Sequence, residues 1–266
     1  MSIWEAILLG IIQGLTEFLP ISSSGHIELG KFLSGAQLEE HLLFSVVMHV
    51  ATACSTLVIF RKEVGRLVVG LLQLRFNDET QLAAHILISM IPVGIVGVFF
   101  KQQIEFLFEG QITLVACMLM CTGLLLLFAH YFQPKRRSEM SFGKAFLIGV
   151  AQAIAILPGI SRSGATIAAA LLLGIKREQA APFSFLMVLP PILGAALLET
   201  KDYLTSAEPM SIPANVLLGG FIAAFVVGMF ACKAMIQLVR NSKLIYFAIY
   251  CLTVGAFFLI YHLLTH

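Results

Sequence analysis

Eight apolar stretches, six of them long enough to cross a lipid bilayer and two cut short by a polar turn, constrain this chain most. The six full-length stretches lie at about 42–60, 82–100, 112–132, 183–199, 214–239 and 244–265. A helix needs roughly 20 apolar residues to span the hydrocarbon. A transmembrane barrel needs strict alternation, and these runs are continuous. The chain is 59% hydrophobic and only 12% charged, whereas a soluble domain carries about 25% charged residues. The expectation is an all-α polytopic membrane protein folded as a single membrane domain. A net charge of +2 says nothing about nucleic acid, and with no basic stripe outside short loops no nucleic-acid partner is expected. The five cysteines lie in apolar runs without metal-ligand partners nearby and read as small hydrophobes. The N-terminal segment lacks a positive leader region and carries Glu5, so it is expected to be retained.

The two interrupted stretches differ in kind. Residues 3–19 stop at Pro20 and pass through Ser22, Ser23, Ser24 and Gly25 into a second arm from His26 to about Ser34. The polar loop Gly35–His41 follows. An arm of about 10 residues is roughly 15 Å of helix, half the hydrocarbon thickness. Residues 144–175 are broken in the same way by LPGISRSG. Both read as re-entrant helical hairpins, because non-helical backbone at membrane depth survives only where protein or a wet cavity surrounds it.

The hairpins repeat. Adding 139 carries Gly10 to Gly149, Gln13 to Gln152, Ser22 to Ser161, Ser24 to Ser163 and Gly25 to Gly164, and it also pairs Met48 with Met187. Repeat 1 covers about 1–132 and repeat 2 about 140–266. Three crossings separate the hairpins, an odd number, so the halves form an inverted repeat. Such repeats place a binding site near the midplane with half-helix N-termini directed at an anion. Alternating the loops assigns Arg61, Lys62, Arg66, Arg75, Lys135, Arg136, Arg137, Lys144, Lys176, Arg177, Arg240 and Lys243 to one side. Lys31, Lys101 and Lys201 fall on the other. The positive-inside rule makes the first side cytoplasmic, with both termini outside.

Chemistry is expected where the repeat breaks. Ser23 stands opposite Arg162, His26 opposite Ala165, and Glu17 opposite Ile156, or Ala155 on the register set by the prolines. Ionisable groups at this depth mark a functional site. The planar guanidinium of Arg162 matches phosphate oxygens. Glu17 suits a divalent cation, Mg²⁺ or Ca²⁺, held against a diphosphate; a buried ion pair between Glu17 and Arg162 is the structural alternative. His26 is a candidate base. The residues alone do not choose a nucleophile among Ser22, Ser23 and Ser24, each of which also suits a helix cap. Ser161, Ser163 and Thr166 are expected to donate to phosphate, with Gln13, Gly25 and Gly164 completing the binding set. His49 suits the cavity and a satisfied buried position equally. No P-loop, dinucleotide fingerprint or zinc helix motif occurs. A transporter or flippase for an anionic lipid is the rival reading, since inverted hairpins are a transporter device.

QGLTEFLPISSSGH and PGISRSGAT resemble the two motifs of the undecaprenyl-diphosphate phosphatase, or bacitracin-resistance, family. The resemblance extends over nearly the whole chain, including FSFLMVLPPILGA at 183–195. It implies a membrane phosphatase that converts a C55 polyprenyl diphosphate to the monophosphate carrier of peptidoglycan synthesis and confers bacitracin resistance. It also implies a divalent cation and a bacterial inner-membrane location with the site open to the periplasmic face. Its partners would be the lipid substrate, the bilayer and, as an open alternative, a second copy in a homodimer. On this sequence it makes Glu17 the motif carboxylate, Ser23 the nucleophile, His26 its base and Arg162 the phosphate clamp. Gln13 departs from the glutamate of many members, leaving one carboxylate there.

Overall fold

A computed structural model of the chain describes residues 1–34, 42–73, 77–107, 111–134, 137–205 and 212–265. The loop 35–41 and the expected loop cations Arg75, Lys135 and Arg136 lie outside the described residues. Thirteen helices are present among them and no strand. They are α1 (Ile3–Phe18), α2 (Ser23–Ser34), α3 (Leu42–Ile59), α4 (Arg61–Leu72), α5 (Asp78–Phe99), α6 (Lys101–Leu107) and α7 (Ile112–Tyr131). The second half holds α8 (Phe142–Ile154), α9 (Arg162–Leu172), α10 (Arg177–Met187), α11 (Leu189–Thr205), α12 (Ala214–Arg240) and α13 (Leu244–Thr265).

Five segments are long and apolar enough to cross a membrane: α5, α7, α10 with α11 as far as Leu198, α12 and α13. Counting α3 and α4 together, bent by 81°, makes six. The chain is therefore an all-α, multi-pass membrane protein. Outward stripes such as Leu87, Ile91, Ile95 and Val98 on α5, and Leu218, Ile222, Val226 and Phe230 on α12, are large, apolar and exposed. Such stripes need a lipid solvent. Helix α5 runs on through Pro92. The segments 61–81 and 101–111, between the apolar stretches, contain α4 and α6.

The two interrupted segments correspond. Shifted by 139, α1 starts at 142 and α2 at 162, where α8 and α9 start. Packing is exchanged between halves: α1 lies mainly on α12, and its counterpart α8 lies mainly on α5. Helices α7 and α13 pack on each other. Small residues make the close approaches, as membrane helices without a hydrophobic drive between them require. A Cβ on Gly10 would sit 2.4 Å from the Gly220 carbonyl oxygen of α12, and one on Gly149 would sit 2.3 Å from the Ser89 carbonyl oxygen of α5.

The base of the second hairpin is tied down. Ser138 forms an isolated bridge with Ile175, and Gln133 Oε1 accepts from both Arg137 (2.6 Å) and Arg177 (3.0 Å). Lys176 donates to Glu139 at 2.8 Å, which holds that carboxyl below its ordinary range and the amine above its own.

Candidate active site

Each hairpin tip is built by the same local chemistry. Helix α1 stops where Leu19 turns extended ahead of Pro20. Ser22 then takes a left-handed conformation (φ +68°) and its Oγ accepts from the Gly25 amide at 3.2 Å, capping α2. In the second hairpin the left-handed residue is Gly159 (φ +94°), and Ser161 Oγ accepts from the Gly164 amide at 3.1 Å, capping α9. A serine cap is worth about 1 kcal/mol. A partner helix pins each tip: Thr122 of α7 accepts from the Ser161 amide (3.0 Å) and donates to the Gly159 carbonyl (3.2 Å), while Cys251 of α13 donates to the Pro20 carbonyl (3.5 Å).

The tips touch. Ser163 Oγ donates to the Leu19 carbonyl at 3.2 Å, and a Cβ on Gly164 would lie 3.2 Å from Pro20 Cβ. Two helix starts, at Ser23 and Arg162, thus converge with their unshared N–H groups and partial positive charge.

A cavity of about 310 Å³ opens at this junction, at the small end of ligand pockets. Glu17, Ser22, Ser23, Ser24, Ser161 and Arg162 line it. Glu17 is 8% exposed and is the hub. Arg162 Nη2 donates to Glu17 Oε1 in an ion pair that joins the two hairpins. Gln13 Nε2 and Ser23 Oγ both donate to Glu17 Oε2, at 3.0 and 3.3 Å. Val188, Pro191, Ile192 and Ala195 make an apolar wall beside these polar groups.

Other expected residues stand apart from the cavity. His26 donates from Nδ1 to the Ser22 carbonyl at 2.8 Å, and its Nε2 meets the Tyr250 hydroxyl at 2.7 Å. Both ring nitrogens are engaged, and the ring does not line the cavity. Thr166 bonds the Arg162 carbonyl (2.9 Å) and Ser184 (2.6 Å) behind the tip. Ser163, Gly25 and Gly164 are spent on the tip contact and the caps.

Three lining residues carried little signal. His49 anchors Nδ1 on the Ser45 carbonyl (2.8 Å) and brings Nε2 to 3.9 Å from Glu17 Oε2. Gln152 was visible only as the counterpart of Gln13, and Val93 had no signal at all. Among the described residues no group of three or more His, Cys, Asp or Glu is assembled. One carboxylate with one imidazole fits an ion that arrives with phosphate ligands of its own rather than one caged by protein.

Comparison with known proteins decides the family. The family model described as bacitracin resistance protein BacA matches residues 6–257. The chain belongs to the BacA family. A relative from Bacteroides thetaiotaomicron named undecaprenyl-diphosphatase is 54% identical over 256 residues, 96% of this chain and 97% of the relative. Relatives of the same name from Christiangramia forsetii (54% over 259 residues) and Salinibacter ruber (41% over 268) also cover 96% of this chain. The BacA match spans both hairpins, so neither tip is an addition to the family's fold.

Proposed function

We propose that this protein removes the terminal phosphate of undecaprenyl diphosphate within the membrane, releasing undecaprenyl phosphate and inorganic phosphate. The observation that carries this reading is the junction where Arg162 of one hairpin and the Glu17–Ser23 pair of the other face one cavity, in a chain whose relatives are named undecaprenyl-diphosphatases. The two halves, about 1–132 and 140–266, act as one inverted pair meeting at that junction; the exchanged packing of α1 on α12 and α8 on α5 supports this.

In the resting protein Arg162 and Glu17 neutralise one another. A diphosphate headgroup draws the guanidinium onto its oxygens, because a planar fork binds phosphate as well as it binds carboxylate. Glu17 is thereby freed with Oε2 still beside Ser23. The Ser23 oxygen attacks the terminal phosphorus while its proton passes to Glu17. The bond from phosphorus to the bridging oxygen breaks, and the lipid monophosphate leaves with the proton that Glu17 had taken, which restores the carboxylate. Water then attacks the phosphoserine; Glu17 takes the water proton and returns one to Ser23 Oγ as inorganic phosphate departs. Phosphoryl transfer rests mainly on positioning and on stabilising spread negative charge. Arg162 and the starts of α2 and α9 supply that stabilisation, and Ser22, Ser24 and Ser161 supply hydroxyls. A divalent cation, Mg²⁺ or Ca²⁺, would be held by Glu17 with diphosphate oxygens and would neutralise headgroup charge. His26 keeps the Ser22 turn in place, and the wall at Val188–Ala195 receives the first isoprene units.

The cluster of Arg137, Arg177, Lys144 and Lys176 around Gln133 and Glu139 supports placing that end in the cytoplasm. The cavity then opens to the periplasmic face of the bacterial inner membrane. The test is phosphate release from undecaprenyl diphosphate by purified protein in detergent, with and without chelator, alongside Ser23→Ala. Release that the substitution and the chelator both abolish is expected. No release in detergent, with substrate counterflow in proteoliposomes, would make the protein a carrier instead.

A further inference from the structure

Gln152 is the buried polar group that the resting protein leaves unused. It lies on α8, is 2% exposed and lines the cavity with Glu17, Ser23 and Arg162. Neither its Nε2 nor its Oε1 has a hydrogen-bond partner among the described residues. Burying an amide without partners is costly, and native proteins rarely leave one so.

The repeat explains how this arises. Gln13 and Gln152 are counterparts at the offset of 139. Gln13 meets Glu17 four residues on and donates to Oε2 at 3.0 Å. Four residues after Gln152 stands Ile156, which also lines the cavity and offers no polar atom. One half spends its glutamine on orienting the carboxylate. The other half has an apolar residue at the matching position, and its amide is left without a partner in the cavity that Arg162 also lines.

We propose that Gln152 is a substrate-binding residue whose Nε2 donates to a phosphoryl oxygen of the diphosphate gripped by Arg162. Its Oε1 accepts from a water or a protonated oxygen of the same headgroup. This deepens the phosphatase reading and rests on it. An amide donor adds no charge to the site, so it discriminates by geometry, and the bond it forms to an anionic oxygen belongs to the stronger class.

The structural alternative predicts the opposite signs, which makes the test clean. Full-length protein in detergent is assayed with farnesyl and undecaprenyl diphosphates for kcat and KM, and its thermal unfolding is followed. The comparison set is Gln152→Leu, Gln152→Met, Gln152→Glu and Arg162→Ala. Replacing an unpartnered buried amide with an apolar group of similar volume is neutral or stabilising. Gln152→Leu and Gln152→Met are therefore expected to melt at or above the wild-type temperature while kcat/KM falls about 10- to 100-fold. Gln152→Glu, which sets a second negative charge against the phosphate, is expected to fall further, chiefly through KM. Wild-type kinetics in Gln152→Leu or Gln152→Glu would overturn the proposal, as would failure of both Leu and Met variants to fold. If Arg162→Ala is inactive while Gln152→Leu turns over normally, only the role of the amide is wrong. If Arg162→Ala is also fully active, the site itself is misplaced.

Discussion

The two hairpins use one architecture for two jobs. Their serine caps and small-residue contacts match at a constant offset, down to the serine pairs Ser22–Ser24 (3.4 Å) and Ser161–Ser163 (3.2 Å), although the left-handed residue of the turn does not. They differ at three paired positions that line the cavity, Thr16, Glu17 and Ser23 in the first against Ala155, Ile156 and Arg162 in the second; Gln152 lines it without a partner, whereas its counterpart Gln13 bonds Glu17. On the proposed mechanism the first tip carries the acid–base and nucleophilic groups, and the second carries the groups that hold an anion. The like tips supply two converging helix starts, and the differences at three sites are what the proposal makes responsible for chemistry rather than binding alone.

That division can be broken from either side. Glu17→Gln preserves size and neutral hydrogen bonding but removes the carboxylate; phosphate release is expected to fall about 10²- to 10⁴-fold, the range for a lost acid–base group. Near-normal turnover would move the acid–base role away from the first tip. Next in size is Gly159→Ala in the second tip. Gly159 has φ +94°, and an added Cβ would meet the Val115 carbonyl oxygen at 2.4 Å. A loss of about 1–3 kcal/mol of stability is expected, measurable as a lowered melting temperature.

The first tip depends on a side chain where the second depends on a glycine. His26→Asn can still donate to the Ser22 carbonyl, so it is expected to keep roughly tenfold more activity than His26→Ala, in keeping with about 0.5–1.5 kcal/mol for one hydrogen bond. Equal loss in both variants would return a proton-transfer role to His26. The smallest effect is expected for Tyr250→Phe, which removes the hydroxyl at 2.7 Å from His26 Nε2 and leaves the ring. A severalfold reduction with unchanged KM would fit one outer hydrogen bond.

Much of this was legible in the sequence because ionisable residues inside apolar runs are rare and costly. Glu17 and Arg162 marked both interrupted segments, and the continuous apolar runs marked an all-α, multi-pass membrane protein. Helices α4 and α6 were not legible, since Arg61, Lys62, Glu63 and Arg66 gave their segment the composition of a loop. The setting of His26 was hidden for a different reason. Adjacency to three serines says nothing about which way a ring turns, and here Nδ1 folds back on the carbonyl four residues earlier. Gln152 lay between these cases. Its repeat partner was evident, but only packing shows that the amide is buried without a protein partner.

The account depends most on Arg162 serving the phosphate and not only Glu17. Phosphate release from undecaprenyl diphosphate by Arg162→Ala, in detergent and with its melting curve recorded, tests this most directly. The expected result is a folded protein with turnover at least about 10²- to 10³-fold below wild type, the cost of losing a donor that stabilises the transition state. A folded Arg162→Ala protein releasing phosphate at the wild-type rate would reduce the guanidinium to a structural partner of Glu17 and contradict the division of labour between the two tips.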